Sequence, residues 1–204
     1  MSTSAPSKFQ FLLDEPAKDA LFREARTANT FTDEPVTDEQ LQAIYDLVKW
    51  APTAANTQPL RILILRTPEA KARLLPLMND GNRAKTATAP AVAIVAADTE
   101  FHENIPRLLP FRPELKDNFV DAAVREPFAR FNATLQTGYF ILAIRAVGLS
   151  AGPMGGFDAA GVDKEFFAGT PLKSLLVINI GVPGPDAWFP RLPRLDYEDV
   201  VTHL

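Results

Sequence analysis

The chain has 204 residues, of which 47% are hydrophobic and 23% are charged, a balance that is ordinary for a folded domain with a sizeable core. The formal net charge is -4 at pH 7, so no long-range positive field would attract nucleic acid or an anionic membrane surface. The chain contains no cysteine. Disulfides, thiolate metal sites, iron–sulfur clusters and cysteine nucleophiles are therefore excluded.

The absence of several other sequence features predicts the cellular location of the protein and its number of domains. His102 and His203 lie far apart in the sequence without ligand-like spacing, so neither a metal site nor a histidine-based triad is predicted. The apolar patch at residues 9–13 is too short for a signal-peptide core, and no apolar run approaches the roughly 20 residues of a membrane span. The prolines are spread without repeats or low-complexity tracts. We therefore predict a soluble, cytoplasmic protein with a single domain over residues 1–204.

The first half of the chain alternates helical and strand patterns. Apolar residues recur at helical spacing over residues 38–50, and Thr37 with Gln40 forms a capping-box sequence. Pro52 ends this helix, and the turn-rich PTAANTQP precedes RILILR, which is typical of a strand. Thr67 and Pro68 begin another helix, and AVAIVAA then predicts a second, buried strand.

The second half contains a long apolar helix. Arg130 and Arg145 are the only formal charges in residues 128–147, and Gly148 ends the helical pattern. This helix is expected in the domain centre, at a subunit interface, or both. SAGPMGGF is predicted as a loop, residues 158–167 as a short helix, and LLVINIGV as a third strand. A proline-rich tail, expected to run over the surface, completes an α+β or mixed α/β pattern.

Two glycine- or hydroxyl-rich segments have both structural and functional interpretations. No GxGxxG follows a strand and no GxxxxGK[ST] occurs, so a Rossmann site and a P-loop are disfavoured. GPMGGF is typical of a turn, but its glycines could also present backbone NH groups to a ligand. Arg26 in ARTANTF is either a helix C-terminal cation followed by a capping Asn29, or part of a phosphate cradle with Thr27 and Asn29. Nothing local decides between them.

The order of the motifs carries a resemblance across nearly the whole chain. RTANTF is followed by APTAANTQP, an Asn82 to Lys85 pair, GPMGG and a late RLP. Together these resemble the nitroreductase family of FMN enzymes. KWAPTAAN, AGPMGGFD and PRLPRL are most similar to the malonic semialdehyde reductase branch of that family.

The resemblance implies a nitroreductase-like α+β fold: a central mixed or antiparallel sheet, flanking helices, a long buried helix and a homodimer with flavin at its interface. Arg26, Thr27 and Asn29 match the phosphate and ribityl segment, where Ala25 and Asn29 are neutral at positions that are usually basic. The residues implied to contact FMN from the other subunit are Pro52, Thr53, Ala54 and Asn56. Asn82 and Lys85 match the pair at the pyrimidine edge, and the lysine would stabilise negative charge on the ring.

Two further segments complete the implied FMN site. The loop whose backbone amides face the flavin N5 and O4 region corresponds to Pro153, Met154, Gly155 and Gly156. Many relatives carry glutamate where this chain has Gly155, but a backbone NH survives that change. Arg191 matches a C-terminal phosphate-binding arginine, and Phe189 stands where many relatives carry lysine.

The implied reaction is hydride transfer by FMN from NADH or NADPH to a small electrophile, with no catalytic side-chain nucleophile and no metal. Malonic semialdehyde would give 3-hydroxypropionate, and its carboxylate would require an arginine. Arg107, Arg112, Arg125 and Arg130 lie where the family places a lid, although surface exposure alone explains most such arginines. The alternatives are a broad reductase of nitroaromatics or quinones, and a flavin-binding sensor or carrier without turnover.

Overall fold

A four-stranded antiparallel sheet lies at the centre of the computed structural model, which describes residues 11–204, so the apolar patch at 9–13 lies partly outside the described residues. The strands are β1 (Leu60–Leu65), β2 (Ala91–Asp98), β3 (Ser150–Met154) and β4 (Leu172–Gly181). Their order is β1-β2-β4-β3, and every neighbouring pair is antiparallel. Strands β1 and β3 therefore form the two edges.

Eight α-helices surround the sheet in the described residues. They are α1 (Glu15–Lys18), which continues into a π-helical turn (Asp19–Arg23), α2 (Asp38–Val48), α3 (Pro68–Leu74), α4 (Asp80–Thr88), α5 (Ile105–Leu108), α6 (Ala122–Ala146), α7 (Ala159–Phe166) and α8 (Tyr197–Val200). The capping box of α2 is confirmed: Gln40 N donates to Thr37 Oγ1 at 3.2 Å, and Thr37 N donates to Gln40 Oε1 at 2.9 Å.

Strand β2 divides the core into two layers because its side chains alternate between the faces of the sheet. All eight of its residues are buried. Val92 and Ile94 pack in the layer that contains residues of α3 and α7, whereas Ala93 and Val95 pack in the layer of α2 and α6. The apolar run AVAIVAA is thus covered on both sides, as its composition predicts.

Helix α6 is longer and less uniformly apolar than the sequence pattern indicates. It begins at Ala122, where the Asp121 side chain accepts a hydrogen bond from Ala123 N. Its first turns contain charged residues, so a search for apolar residues alone does not detect this start. Its buried face includes the polar residues Asn132, Gln136 and Thr137. Its opposite face exposes a stripe at i, i+4 and i+8 that consists of Phe131, Leu135 and Tyr139.

Two predictions for the second half of the chain are corrected. The first five residues of the predicted loop SAGPMGGF form strand β3, which pairs with β4. A strand can contain Pro153 here because β3 is an edge strand, and pairing with β4 overrides the turn preference of glycine and proline. The tail does run exposed over residues 188–204, but Tyr197–Val200 forms one helical turn rather than irregular chain.

None of the helices within residues 11–204 combines the length and the apolar character that a membrane crossing requires. In the same part of the chain, no group of three or more His, Cys, Asp or Glu side chains is placed to hold a metal ion.

Candidate functional site

The outer side of edge strand β3 brings together the N-terminal segment, helix α4 and the end of β3. Ala28 N donates to Ala151 O at 3.3 Å, so residues 25–29 run alongside the strand. From α4, Asn82 Nδ2 donates to Gly156 O at 2.9 Å, and Lys85 Nζ lies 3.5 Å from Asn29 Oδ1. We call this assembly the β3 cluster; it contains nine of the residues predicted to bind FMN: Arg26, Thr27, Asn29, Asn82, Lys85, Pro153, Met154, Gly155 and Gly156.

The C-terminal tail adds a cationic cleft to the β3 cluster. The cleft has a volume of about 180 Å³ and is lined by Ala25, Arg26, Thr27, Asn29, Phe189, Pro190, Arg191, Leu192 and Arg194. Arg26 Nη1 lies 3.5 Å from Phe189 O, and Arg191 Nη2 donates to Arg23 O. Three arginines and no acidic residue are in this lining, so its electrostatics favour an anion such as a phosphate.

The helix-capping interpretation of Arg26 and Asn29 is wrong. The first helical segment ends at Arg23, three residues before Arg26. Asn29 Nδ2 donates to Thr27 O at 3.2 Å and to Ala187 O at 3.4 Å, so it fastens the segment to the C-terminal region instead of capping a helix. The phosphate-cradle interpretation stays a prediction.

The two consecutive glycines after β3 have different surroundings. A Cβ atom at Gly156 would lie 2.8 Å from Asn82 Nδ2 and 3.1 Å from Asn79 Nδ2, so a side chain there would displace these two amide groups at the start of α4. Gly155 is exposed, and a Cβ atom there would approach only Leu176 Cδ2, at 4.0 Å. Met154 is buried with its Sδ 3.8 Å from Thr86 Oγ1. Met154 could therefore face a ligand only with its backbone.

Burial changes the pKa of one more cation beside the β3 cluster, the guanidinium of Arg145. Arg145 on α6 lines a neighbouring cleft of about 210 Å³ together with Arg26, and Arg145 Nη1 donates to Leu21 O at 3.0 Å. Desolvation by burial lowers the pKa of the Arg145 guanidinium below its usual value. Arg145 is thus part of the support for the N-terminal segment.

The remaining predicted residues, Pro52, Thr53, Ala54 and Asn56, lie at the other edge of the sheet. They precede β1, which is separated from β3 by two intervening strands. Three interstrand spacings place the two edges about 14 Å apart. No hydrogen bond or ion pair recorded within residues 11–204 joins this loop to the β3 cluster. A single chain therefore brings the residues of the β3 cluster together, but it does not bring the loop of Pro52, Thr53, Ala54 and Asn56 to them.

Two residues that the sequence analysis missed contact this second loop. Asn132 Oδ1 accepts from Ala54 N at 2.8 Å, and Gln136 Oε1 accepts from Leu60 N at 3.0 Å. Both are on α6 and buried. The sequence feature that could have identified these two residues is a pair of amide side chains, four residues apart, in a helix whose pattern is otherwise apolar.

The four arginines between β2 and the middle of α6 have different surroundings. Arg125 donates to the backbone carbonyls of Thr99 and Phe119 at 2.7 and 2.9 Å, which gives it a structural role. Arg112 Nε lies 3.5 Å from Glu114 Oε1, and Arg130 is exposed. Arg107 lines a cleft of about 430 Å³, and its Nη2 lies 3.3 Å from Asn104 Oδ1.

Comparison with known proteins gives relatives over almost the entire chain. A "Putative NADH dehydrogenase/NAD(P)H nitroreductase" of Streptomyces griseus is 61% identical over 194 residues, which are 94% of this chain and 97% of the relative. A protein of the same name from Leptothrix cholodnii is 51% identical over 187 residues, covering 91% of this chain and 95% of the relative.

Solved structures show the same fold. A putative nitroreductase in complex with FMN from Exiguobacterium sibiricum has a TM-score of 0.82 at 20% identity and covers 96% of this chain and 99% of its own. A putative nitroreductase of Bacillus subtilis has a TM-score of 0.80 at 24% identity, covering 90% and 97%. The sequence model of the Nitroreductase family matches residues 22–182. The chain belongs to the nitroreductase family.

Proposed function

We propose that this protein is a cytoplasmic, homodimeric, FMN-dependent oxidoreductase that uses NADH or NADPH to reduce a small electrophile. The observation that carries the proposal is the cleft of Arg26, Arg191 and Arg194, whose lining residue Asn29 has its Oδ1 3.5 Å from Lys85 Nζ. The names of the relatives at 51 and 61% identity support a pyridine-nucleotide-dependent reductase, and the FMN-bound structural neighbour supports the flavin. We further propose that residues 1–204 act as one FMN-binding domain.

The described residues fit FMN in both charge and shape. A phosphate monoester carries close to two negative charges at neutral pH, and the cleft provides three guanidinium groups, of which Arg26 also forms an ion pair with the exposed Glu24 at 3.4 Å. The open space at Gly155 allows a planar ring to approach the backbone closely. The neutral residues Ala25 and Phe189 reduce the charge of the cleft, but Arg194, which the sequence analysis did not assign, adds a cation.

A second subunit is required if Pro52, Thr53, Ala54 and Asn56 are to contact the same flavin as the β3 cluster. The two groups lie on opposite sheet edges of one chain. The exposed stripe of Phe131, Leu135 and Tyr139 on α6 supports burial against another protomer, since such aligned apolar side chains are unfavourable in water. The homodimer proposal thus rests on both an incomplete site and an uncovered apolar face.

The chemistry that bound FMN supplies is hydride transfer from NADH or NADPH to the electrophile. The residues of the chain bind and orient. The arginines of the cleft would hold the phosphate, while Asn82 and Lys85 would contact the pyrimidine edge of the ring. Lys85 is positioned to stabilise negative charge there, because its ammonium is partly buried and its recorded partner is the neutral Asn29 amide.

The substrate that we propose is malonic semialdehyde, with 3-hydroxypropionate as the product, and Arg107 is the candidate for binding its carboxylate. Arg107 lines the 430 Å³ cleft beside Gln58 of the loop that would contact the partner's flavin. It forms no recorded ion pair with another described residue, so its charge is available to a ligand. The runner-up substrate class, nitroaromatics and quinones, is supported by the names of the relatives and needs no such cation.

We expect Arg107→Ala to raise KM for malonic semialdehyde about tenfold or more, since a charge-assisted hydrogen bond contributes roughly 1.5–3 kcal/mol. KM for an uncharged nitrofuran should change less than twofold. Steady-state kinetics with both substrates measures this difference, and Arg112→Ala is the control because Arg112 is exposed and faces Glu114. Equal KM values for the semialdehyde in the parent and the Arg107 variant would remove Arg107 from the site.

The absorbance spectrum of the purified protein, with chemical identification of the released cofactor, tests the function itself. We expect FMN, tighter binding of FMN than FAD to the stripped protein, and NADH or NADPH oxidation that depends on added electrophile. Light scattering at micromolar concentration should give the mass of a dimer. FAD bound equally well would contradict the cofactor proposal, and FMN binding without turnover would favour a flavin carrier.

A further inference from the structure

The loop between α2 and β1 has an unfavourable backbone conformation. Ala55, Asn56 and Gln58 have φ values of 52°, 52° and 44°, and they are the only non-glycine residues of the described chain with positive φ. Residues with a Cβ atom rarely adopt this region, because the Cβ crowds the following carbonyl. Three such residues within four positions persist only when surrounding contacts hold them, and such strain is concentrated at functional sites.

Two buried amides of α6 hold the ends of this loop. Asn132 is 0% exposed; its Oδ1 accepts from Ala54 N at 2.8 Å, and its Nδ2 donates to Phe128 O at 3.0 Å. Gln136, one helical turn later, is 4% exposed, and its Oε1 accepts from Leu60 N at 3.0 Å. The two side chains lie on the same face of the helix, so one rigid element fixes both ends of the strained segment.

Further bonds hold the middle of the loop. Asn56 Nδ2 donates to Leu108 O of α5 at 2.9 Å, and Gln58 N donates to Thr53 Oγ1 at 3.2 Å. These bonds involve the loop itself or a neighbouring short helix, whereas Asn132 and Gln136 connect the loop to the 25-residue helix in the core. Burying two amides costs more than burying leucines unless the amides form hydrogen bonds, and here one side-chain oxygen accepts from Ala54 N in the loop and the other from Leu60 N, where β1 begins.

We propose that Asn132 and Gln136 are positioning residues that hold residues 53–58 in their binding conformation before FMN arrives. Preorganisation lowers the conformational entropy that the loop loses when it contacts the flavin of the partner subunit. The inference rests on the proposed function in one respect, namely that this loop contacts FMN. The positioning role itself concerns the free protein and can be measured there.

The test compares Asn132→Leu and Gln136→Leu with Thr137→Val. Thr137 is the matched control because it is buried on the same helix and its hydroxyl bonds only Ala133 O, at 2.7 Å, within α6. In the FMN-free full-length protein, amide hydrogen exchange of residues 54–60 should be at least tenfold faster in the two leucine variants than in the parent. The FMN dissociation constant should rise about tenfold, while Thr137→Val should leave both quantities within twofold.

Thermal unfolding of each variant separates positioning from general instability. If exchange at residues 54–60 and FMN affinity are both unchanged in a folded leucine variant, the inference is wrong. Weaker FMN binding without faster exchange would also overturn it, because the residues would then act elsewhere. If only one leucine variant folds, that variant decides the outcome. If the parent protein binds no FMN, the proposed function fails, but the exchange rates still test whether α6 holds the loop.

Discussion

Replacing either Arg26 or Arg191 by alanine should raise the FMN dissociation constant about tenfold or more, since 1.4 kcal/mol corresponds to a factor of ten. Both guanidinium groups line the cationic cleft and contact backbone carbonyls, and Arg26 also forms an ion pair at 3.4 Å with the exposed Glu24. Partly desolvated, charge-assisted hydrogen bonds to phosphate contribute roughly 1.5–3 kcal/mol, compared with roughly 0–1 kcal/mol for an exposed ion pair. Fluorescence titration of the stripped variants with FMN measures the effect.

Arg66→Ala is the appropriate control for these variants. Arg66 follows β1 at the sheet end opposite to the loop and forms an exposed ion pair with Asp38 at 2.7 Å. The sequence alone suggests Arg145 as a control because it lies outside every matched motif, but Arg145 lines a cleft with Arg26 and bonds the N-terminal segment. Retention of parental FMN affinity by both test variants would mean that the phosphate binds elsewhere.

Local sequence patterns predicted the elements that are stabilised by contacts between residues close in the sequence or by burial of an apolar run. The capping box at Thr37 and Gln40 fixes the start of α2 through two hydrogen bonds within one turn. The run AVAIVAA indicated a strand covered on both faces, and the layers of α3 and α7 on one face and of α2 and α6 on the other provide that cover. The motif resemblance also predicted which residues of the N-terminal segment, α4 and β3 lie together.

Features that depend on pairing between distant segments were not predictable in this way. Strand β3 exists because β4 pairs with it, and its own glycine and proline composition is typical of a turn. The contact of Asn132 with Ala54 joins residues 78 positions apart, so no local pattern announces it. Likewise, Arg194 enters the cleft through the course of the tail, which the sequence indicates only as proline-rich and irregular.

The second large effect is expected at Lys85, where substitution by glutamine should lower kcat about 100-fold while FMN stays bound. Asn82 and Lys85 are three residues apart on α4, and Asn82 holds Gly156 O while Lys85 lies beside Asn29. We propose that this side of the cluster meets the pyrimidine edge of the flavin. Donors aimed at charge that develops during a reaction contribute factors of about 10² to 10³ in kcat. Single-turnover reduction of the bound flavin by NADH measures the step directly.

The Lys85→Gln substitution keeps a hydrogen-bond donor and removes the charge, so the contribution of the charge can be separated from that of the hydrogen bond. Loss of the cation should make the flavin midpoint potential more negative, because negative charge on the reduced ring is then less stabilised. Lys164→Gln on the exposed side of α7 removes the same charge away from the β3 cluster and should leave kcat and the potential unchanged. A Lys85 variant with the parental reduction rate and midpoint potential would show that this ammonium does not contact the ring. A slower rate at an unchanged potential would indicate that the nicotinamide is misplaced, and not that charge stabilisation is lost.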